Sequence, residues 1–236
     1  AFHLGHIDRA LYILGNVGSG LSKELFAVGF AGVVTLVYLV LSRKDYPGAL
    51  KVLGVLGLAA GIVLPLVAGA SYMMPARPAW DSFTLPLMYL GTGLGLGFVL
   101  SAAVVCLRGD AADAPLALRL AAVGVVCSVV TMLAYVTWIA LAPFPAESRS
   151  IGRLLTGSLA LEFWLGVVAL GVAAPAALGV LALRKAPGAE AGAGAEAGAK
   201  SAAGLLWGAL ACLVVGNVAL RVIMYAVATS VESLIY

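Results

Sequence analysis

The chain has 236 residues, of which 63% are hydrophobic and only 11% charged, with a net charge of +3. Ordinary soluble domains run about 45–50% apolar and about 25% charged, and must cover themselves with polar surface. This composition excludes a soluble globular domain, a disordered chain and a disulfide scaffold, and the small net charge gives no footing for nucleic acid.

A membrane β-barrel would alternate apolar and polar residues in short segments. Here the apolar runs are continuous. Backbone polar groups in lipid must be satisfied within the segment, so each run predicts a helix. The fold class expected is an all-α polytopic integral membrane protein, a single domain over 1–236.

In chain order, the expected spans lie at about 25–42, 52–74, 84–107, 119–142, 156–183 and 203–228. Each suits the roughly 20 residues a helix needs to cross a bilayer. Pro47-Gly48 marks the turn before the second span, and Pro143 and Pro145 close the fourth. Gly91/Gly95 and Gly93/Gly97 in the third are GxxxG pairs, which predicts close helix packing. The stretch 184–200, Ala/Gly/Glu-rich, is expected to be a flexible linker. Cys106, Cys127 and Cys212 sit apart inside apolar runs, with no metal-binding spacing, and are expected to behave as small hydrophobes. No metal site is expected.

Six spans divide the loops between two sides. Arg9, Lys23, Arg77, Arg149 and Arg153 fall on one, with Arg221 buried nearby. Arg43, Lys44, Lys51, Arg108, Arg119, Arg184, Lys185 and Lys200 fall on the other. The positive-inside rule puts the second side in the cytoplasm. A multi-pass protein of a prokaryotic cytoplasmic (inner) membrane, with its C-terminus periplasmic, is the expectation.

The chemistry-bearing groups gather on the outer side. Glu162 lies near the outer end of the fifth span, Arg221 about two turns inside the sixth, and Glu24 at the head of the first. His3, His6, Arg77 and Asp81 lie in outer loops. Ionisable groups inside spans are expensive and usually functional. Bland readings stand beside this one. Glu24 suits a first helical turn, and Arg77 or Arg221 could snorkel to headgroups. Tyr72, Trp80 and Trp138 could be interfacial anchors. His3 and His6 are three residues apart beside one face, so no haem is expected in this chain, because transmembrane b-type haem takes ligands from facing helices.

The segments His3-Leu4-Gly5, Arg9 and Leu21-Ser22-Lys23-Glu24 resemble the membrane anchor subunit of dimethyl sulfoxide reductase and its relatives, which are related in turn to polysulfide-reductase-type anchors. So do Ala76-Arg77-Pro78-Ala79-Trp80, the following Ser82–Pro86 stretch, and the final Arg221-x-x-x-Tyr225 span. The resemblance implies an eight-helix anchor, with about two helices, or roughly 50–60 residues, ahead of Ala1. It implies partners: a four-cluster iron–sulfur subunit and a molybdopterin or tungstopterin catalytic subunit. It also implies oxidation of menaquinol near the periplasmic face during anaerobic respiration, with no covalently bound cofactor. Where that family often carries Arg before the Tyr that ends the second span, this chain has Ser71 before Tyr72, and Arg77 is the nearby charge.

A hydroquinone must lose two electrons and two protons. His3 has a suitable proton affinity to accept one. Glu24 or Glu162 could relay or hold a proton, and Arg77 or Arg221 could polarise a quinone oxygen. Gly5, Arg9, Tyr72, Asp81 and Tyr225 are expected to support the pocket, with Trp80 closing its mouth. Two other classes compete: a secondary transporter, and a purely structural anchor without a quinone site. A transporter places binding groups at midplane on broken helices. The mid-span prolines here, Pro65 and Pro175, have no acid or base beside them.

Overall fold

The computed structural model describes residues 15–110, 112–142, 145–185 and 193–228, leaving aside the side chains of 146 and 193–195. Six helical spans long and apolar enough to cross a membrane run through it. They are α1 (Gly20–Leu41), α2 (Pro47–Ala70), α3 (Thr84–Arg108), α4 (Ala114–Leu141), the fifth span and α7 (Ala193–Val227). The fifth span is composite: a π-helix, Glu162–Ala173, continues directly into α6 (Ala174–Lys185). A short 3₁₀ turn, Pro78–Trp80, precedes α3, and a separate helix, α5 (Pro145–Leu155), precedes the fifth span.

Local chemistry explains the ends. The Ser19 hydroxyl accepts from the Ser22 N–H at 3.1 Å and caps α1. Pro47 opens α2 at a position where its missing N–H costs nothing. Gly109 ends α3 in the left-handed region, with φ of 74°.

Helices α3, α4 and α7 form the centre. The most apolar window of α3 is 39% buried inside the protein, against 6% for α1. Helix α1 therefore packs chiefly on α2, and most of its apolar surface, Phe30 and Leu36 included, faces outward. Outward apolar surface is normal where the solvent is lipid. What holds such helices together is close packing through small residues. Gly91 lies against Thr131 and the Cys127 carbonyl, Gly95 against Ser128, and Gly124 against the Leu94 carbonyl. Of the two GxxxG pairs, Gly91/Gly95 is thus the α3–α4 contact. Gly93 instead faces Pro65 of α2, and Gly97 faces open space.

A second close approach joins the fifth span to α7. Gly166 and Gly171, five residues apart, both abut Gly216. The i→i+5 winding of a π-helix suits that spacing, and the amide of Ala174 still bonds back to Ala169.

Three expectations need correction. The fifth span starts at Glu162 rather than near 156. The loop ahead of it holds α5, since Pro145 opens a helix instead of only ending the previous one. The stretch 184–200 is helical from Ala193, where alanine propensity and the Glu196–Lys200 ion pair at 2.6 Å extend α7 outward.

A Cβ at position 216 would collide with the Gly171 backbone, whereas Gly97 has room. Gly216→Ala is expected to destabilise the protein by about 1–3 kcal/mol. Gly97→Ala should be neutral or stabilising by up to about 1 kcal/mol. Thermal and denaturant unfolding of the detergent-purified protein would measure both.

Candidate functional site

The site forms where the tail of α2, the 3₁₀ turn, the head of α3 and the tail of α7 meet. Tyr72, just past α2, is its hub. The Tyr225 hydroxyl on α7 donates to the Tyr72 hydroxyl at 2.6 Å. The Tyr72 ring lies 5.7 Å from Trp80, 5.7 Å from Tyr225 and 6.1 Å from Tyr89. The first two contacts are edge-to-face, the geometry that ring quadrupoles favour.

The charge in this cluster is Arg221. Its guanidinium carbon stands 3.2 Å from the centre of the Tyr89 ring. Its Nη1 is buried without a hydrogen-bond partner. A guanidinium carries five donors, and burying one unused is costly, so this atom is the conspicuous open donor of the cluster. The carboxylate nearby is Glu24, half-buried near the start of α1, where it accepts from the Ser71 hydroxyl at 3.1 Å. Ser71 therefore holds Glu24 with a hydroxyl.

Arg77 turns elsewhere. Its guanidinium carbon stacks 4.8 Å above Trp80, and its Nη1 donates to the Ala228 carbonyl at 3.4 Å. Trp80 is itself buried, and its Nε1 donates to the Met224 carbonyl at 2.8 Å. It is a wall of the cluster rather than a flap over it, which corrects its expected place at the mouth. The Ser150 hydroxyl of α5 donates to the Val227 carbonyl at 2.7 Å. The last turn of an α-helix leaves its carbonyls without intrahelical partners. Side chains from the turn and from α5 satisfy those of α7, which fixes the end that carries Arg221 and Tyr225.

The structure thus unites Glu24, Tyr72, Arg77, Trp80, Arg221 and Tyr225. It leaves Asp81 and Glu162 exposed at the same end, with no ion pair to this cluster. His3, Gly5 and Arg9 lie outside the described residues. Tyr89, Tyr135 and Ser71 are participants that sequence reasoning missed. The Tyr135 hydroxyl donates to the Ala79 carbonyl at 2.8 Å, pinning the 3₁₀ turn to α4. Their signal was present, since a phenol inside an apolar span needs a polar partner.

Two cavities lie away from this cluster. One of about 140 Å³ is wholly apolar in character, lined by Val99, Leu118, Pro175 and Leu206 toward the opposite end. The other is an open groove beside Thr84, Thr137 and Trp138.

These features define a polytopic helical membrane protein whose polar and aromatic chemistry is concentrated at one end of the bundle. The chain belongs to the DMSO reductase anchor subunit (DmsC) family, whose model matches residues 1–148. It is therefore a membrane anchor of a DMSO reductase-type oxidoreductase complex, associating with catalytic and iron–sulfur subunits. No curated protein and no solved structure matches it. The family match covers Glu24, Tyr72, Arg77, Trp80 and Tyr89, while Arg221 and Tyr225 come from beyond it.

Burial first, and with it the neighbouring charge of Glu24, hold the Tyr72 phenol above the usual tyrosine range. The unfolded chain releases this proton near pH 10, while the folded chain keeps it. The associated stability is present below about pH 10 and is lost as pH rises further. Tyrosinate absorbance during alkaline titration should show a late-ionising phenol that is missing in Tyr72→Phe.

Proposed function

We propose that this chain is the quinol-interacting anchor of its complex. It binds menaquinol at the Glu24–Tyr72–Arg221 cluster and oxidises it on the periplasmic side of a prokaryotic cytoplasmic membrane. The observation that carries this reading is the buried, unpartnered Nη1 of Arg221, held against Tyr89 one helical turn from Tyr225.

The chemistry follows from the groups present. A quinol headgroup is a flat aromatic ring with two hydroxyls. Tyr72, Tyr89 and Tyr225 offer aromatic faces and edges of matching size. The open Arg221 donor suits a quinone oxygen as the hydroxyl loses its proton, and it acts where water is scarce. Glu24, half-buried at the end of the bundle, can take a proton and return it to water. His3, placed by sequence in the preceding segment, is the proposed first acceptor on that same route, with Glu24 as its relay. The two electrons leave to the iron–sulfur subunit, which in turn supplies a molybdopterin or tungstopterin catalytic subunit. This places the partner at the same end, because the electrons must cross from quinol to partner directly.

Two measurements test the proposal. In the purified complex, Glu24→Gln and Arg221→Leu should leave substrate reduction from an artificial electron donor intact. Quinol-driven turnover should fall by about 10²-fold or more. Equal loss with both donors points to a purely structural anchor. For orientation, cysteines introduced at Asp81 and at Lys44 are probed with a membrane-impermeant thiol reagent. Asp81→Cys should react in intact cells and Lys44→Cys only in inverted vesicles; the reverse pattern contradicts the proposed sidedness.

A further inference from the structure

Glu147 belongs to none of the interactions described so far. It lies in the first turn of α5, is 1% exposed, and its Oε2 is buried without a hydrogen-bond partner. Helical spacing puts Glu147, Ser150, Ile151 and Leu154 on one face. That face is the packed one, since Leu154 is buried and Ser150 bonds the Val227 carbonyl of α7. The opposite face carries the exposed Arg149 and Arg153.

Helix α5 packs on α4, α7, the Pro78–Trp80 turn and the π-helix. The charged groups and tyrosines on these elements and their flanks are Tyr135, Arg221, Tyr225, Arg77, Asp81 and Glu162, with Arg149 and Arg153 on α5 itself and Arg119, Glu196 and Lys200 at the far ends of α4 and α7. Among the described residues none of the cations forms an ion pair with Glu147. The phenol of Tyr135 is already committed to the Ala79 carbonyl. Glu147 is thus a buried carboxyl on a helix that packs against the Pro78–Trp80 turn and α7, with one oxygen unused.

Buried carboxyl groups kept only for stability are normally paired or fully hydrogen-bonded, and apolar side chains of similar volume serve packing better. A buried carboxyl with an oxygen left open, packed beside such a site, is suited to exchange a proton. We propose that Glu147 is a proton-relay residue that carries one of the two quinol protons from the cluster to water at the outer surface. This inference rests on the quinol reading above. As the quinol is oxidised, one O–H bond of the headgroup breaks, and its proton ends on the Glu147 carboxylate as a new O–H bond. The carboxyl then releases that proton to water and regains its charge. The second proton leaves by the Glu24 side, and both electrons pass to the iron–sulfur partner, so charge and atoms balance.

The test uses the whole complex, driven in parallel by a menaquinol analogue and by a reduced dye that feeds the partner subunits directly. Glu147→Gln keeps shape and polarity but cannot exchange a proton. It should assemble, retain dye-driven activity, and lose about 10²-fold in quinol-driven turnover. Glu147→Asp keeps a carboxyl and should recover most of that loss, with an altered pH–rate profile. Wild-type quinol turnover and an unchanged pH profile in Glu147→Gln would overturn this inference alone. So would equal impairment in Glu147→Asp and Glu147→Gln with both pH profiles unmoved, which marks a packing role. If Glu147→Gln does not assemble, Glu147→Asp decides: a displaced pH profile supports the relay, and an unmoved one removes it. A wild-type complex that runs on dye but never on quinol sinks both this inference and the reading beneath it.

Discussion

Glycine-mediated contact between helices is the constraint on which this molecule depends. In lipid there is little hydrophobic drive to bring apolar helices together, so close backbone approach must supply the dispersion contacts. Gly91, Gly95 and Gly124 let α3 and α4 meet, and Gly166, Gly171 and Gly216 let the fifth span meet α7. With α3 also packed on α7, the bundle fixes the distance between Tyr89 and Arg221. A polar cluster built on helices packed this tightly has little freedom to rearrange.

The end of α7 shows how the same logic handles polar groups. Its final carbonyls cannot find intrahelical partners, and water is limited in the interior. Trp80 takes Met224, Ser150 takes Val227 and Arg77 takes Ala228. Each donor comes from a segment between spans, so these connecting segments are tied to the bundle by the groups the helix leaves open. Tyr135 adds a tie from α4 to the same turn. Segments that look like connections in sequence thereby become the walls of the site.

The spans themselves were legible, because lipid imposes long continuous apolar runs and nothing else in the chain imitates them. Their ends were not. The Ala193–Lys200 stretch has the composition of a linker and of a good helix at once, and only the Glu196–Lys200 spacing favours the helix. Helix α5 was hidden because Pro143 and Pro145 read as a stop, although proline is equally at home in a first turn. Within the cluster, Glu24, Arg77 and Arg221 stood out as charges in or beside apolar runs. Tyr89 did not, because a tyrosine in a membrane protein usually reads as an interfacial anchor. Its partner, Arg221, is distant in sequence, and only the packing of α3 on α7 brings them together.

The cost of Arg221 bears on what the cluster is for. A buried charge without a matched partner costs several kcal/mol even after the protein relaxes. Stacking on an aromatic ring returns about 0.5–1 kcal/mol at an exposed site and about 2 kcal/mol or more when desolvated. The hydroxyls around it have other partners: Tyr225 has Tyr72, Ser71 has Glu24, and Tyr89 donates to the Met224 sulfur. Arg221 is therefore held by the tight packing of α3 and α7 in a position that its own interactions do not fully compensate. The oxygen-bearing aromatic ligand proposed above would supply an acceptor there and relieve that cost on binding. A purely structural anchor has no such use for the arrangement: leucine at position 221 would pack against Tyr89 with no buried charge to satisfy. The placement of this arginine thus fits the proposed ligand better than it fits a role in holding the bundle together.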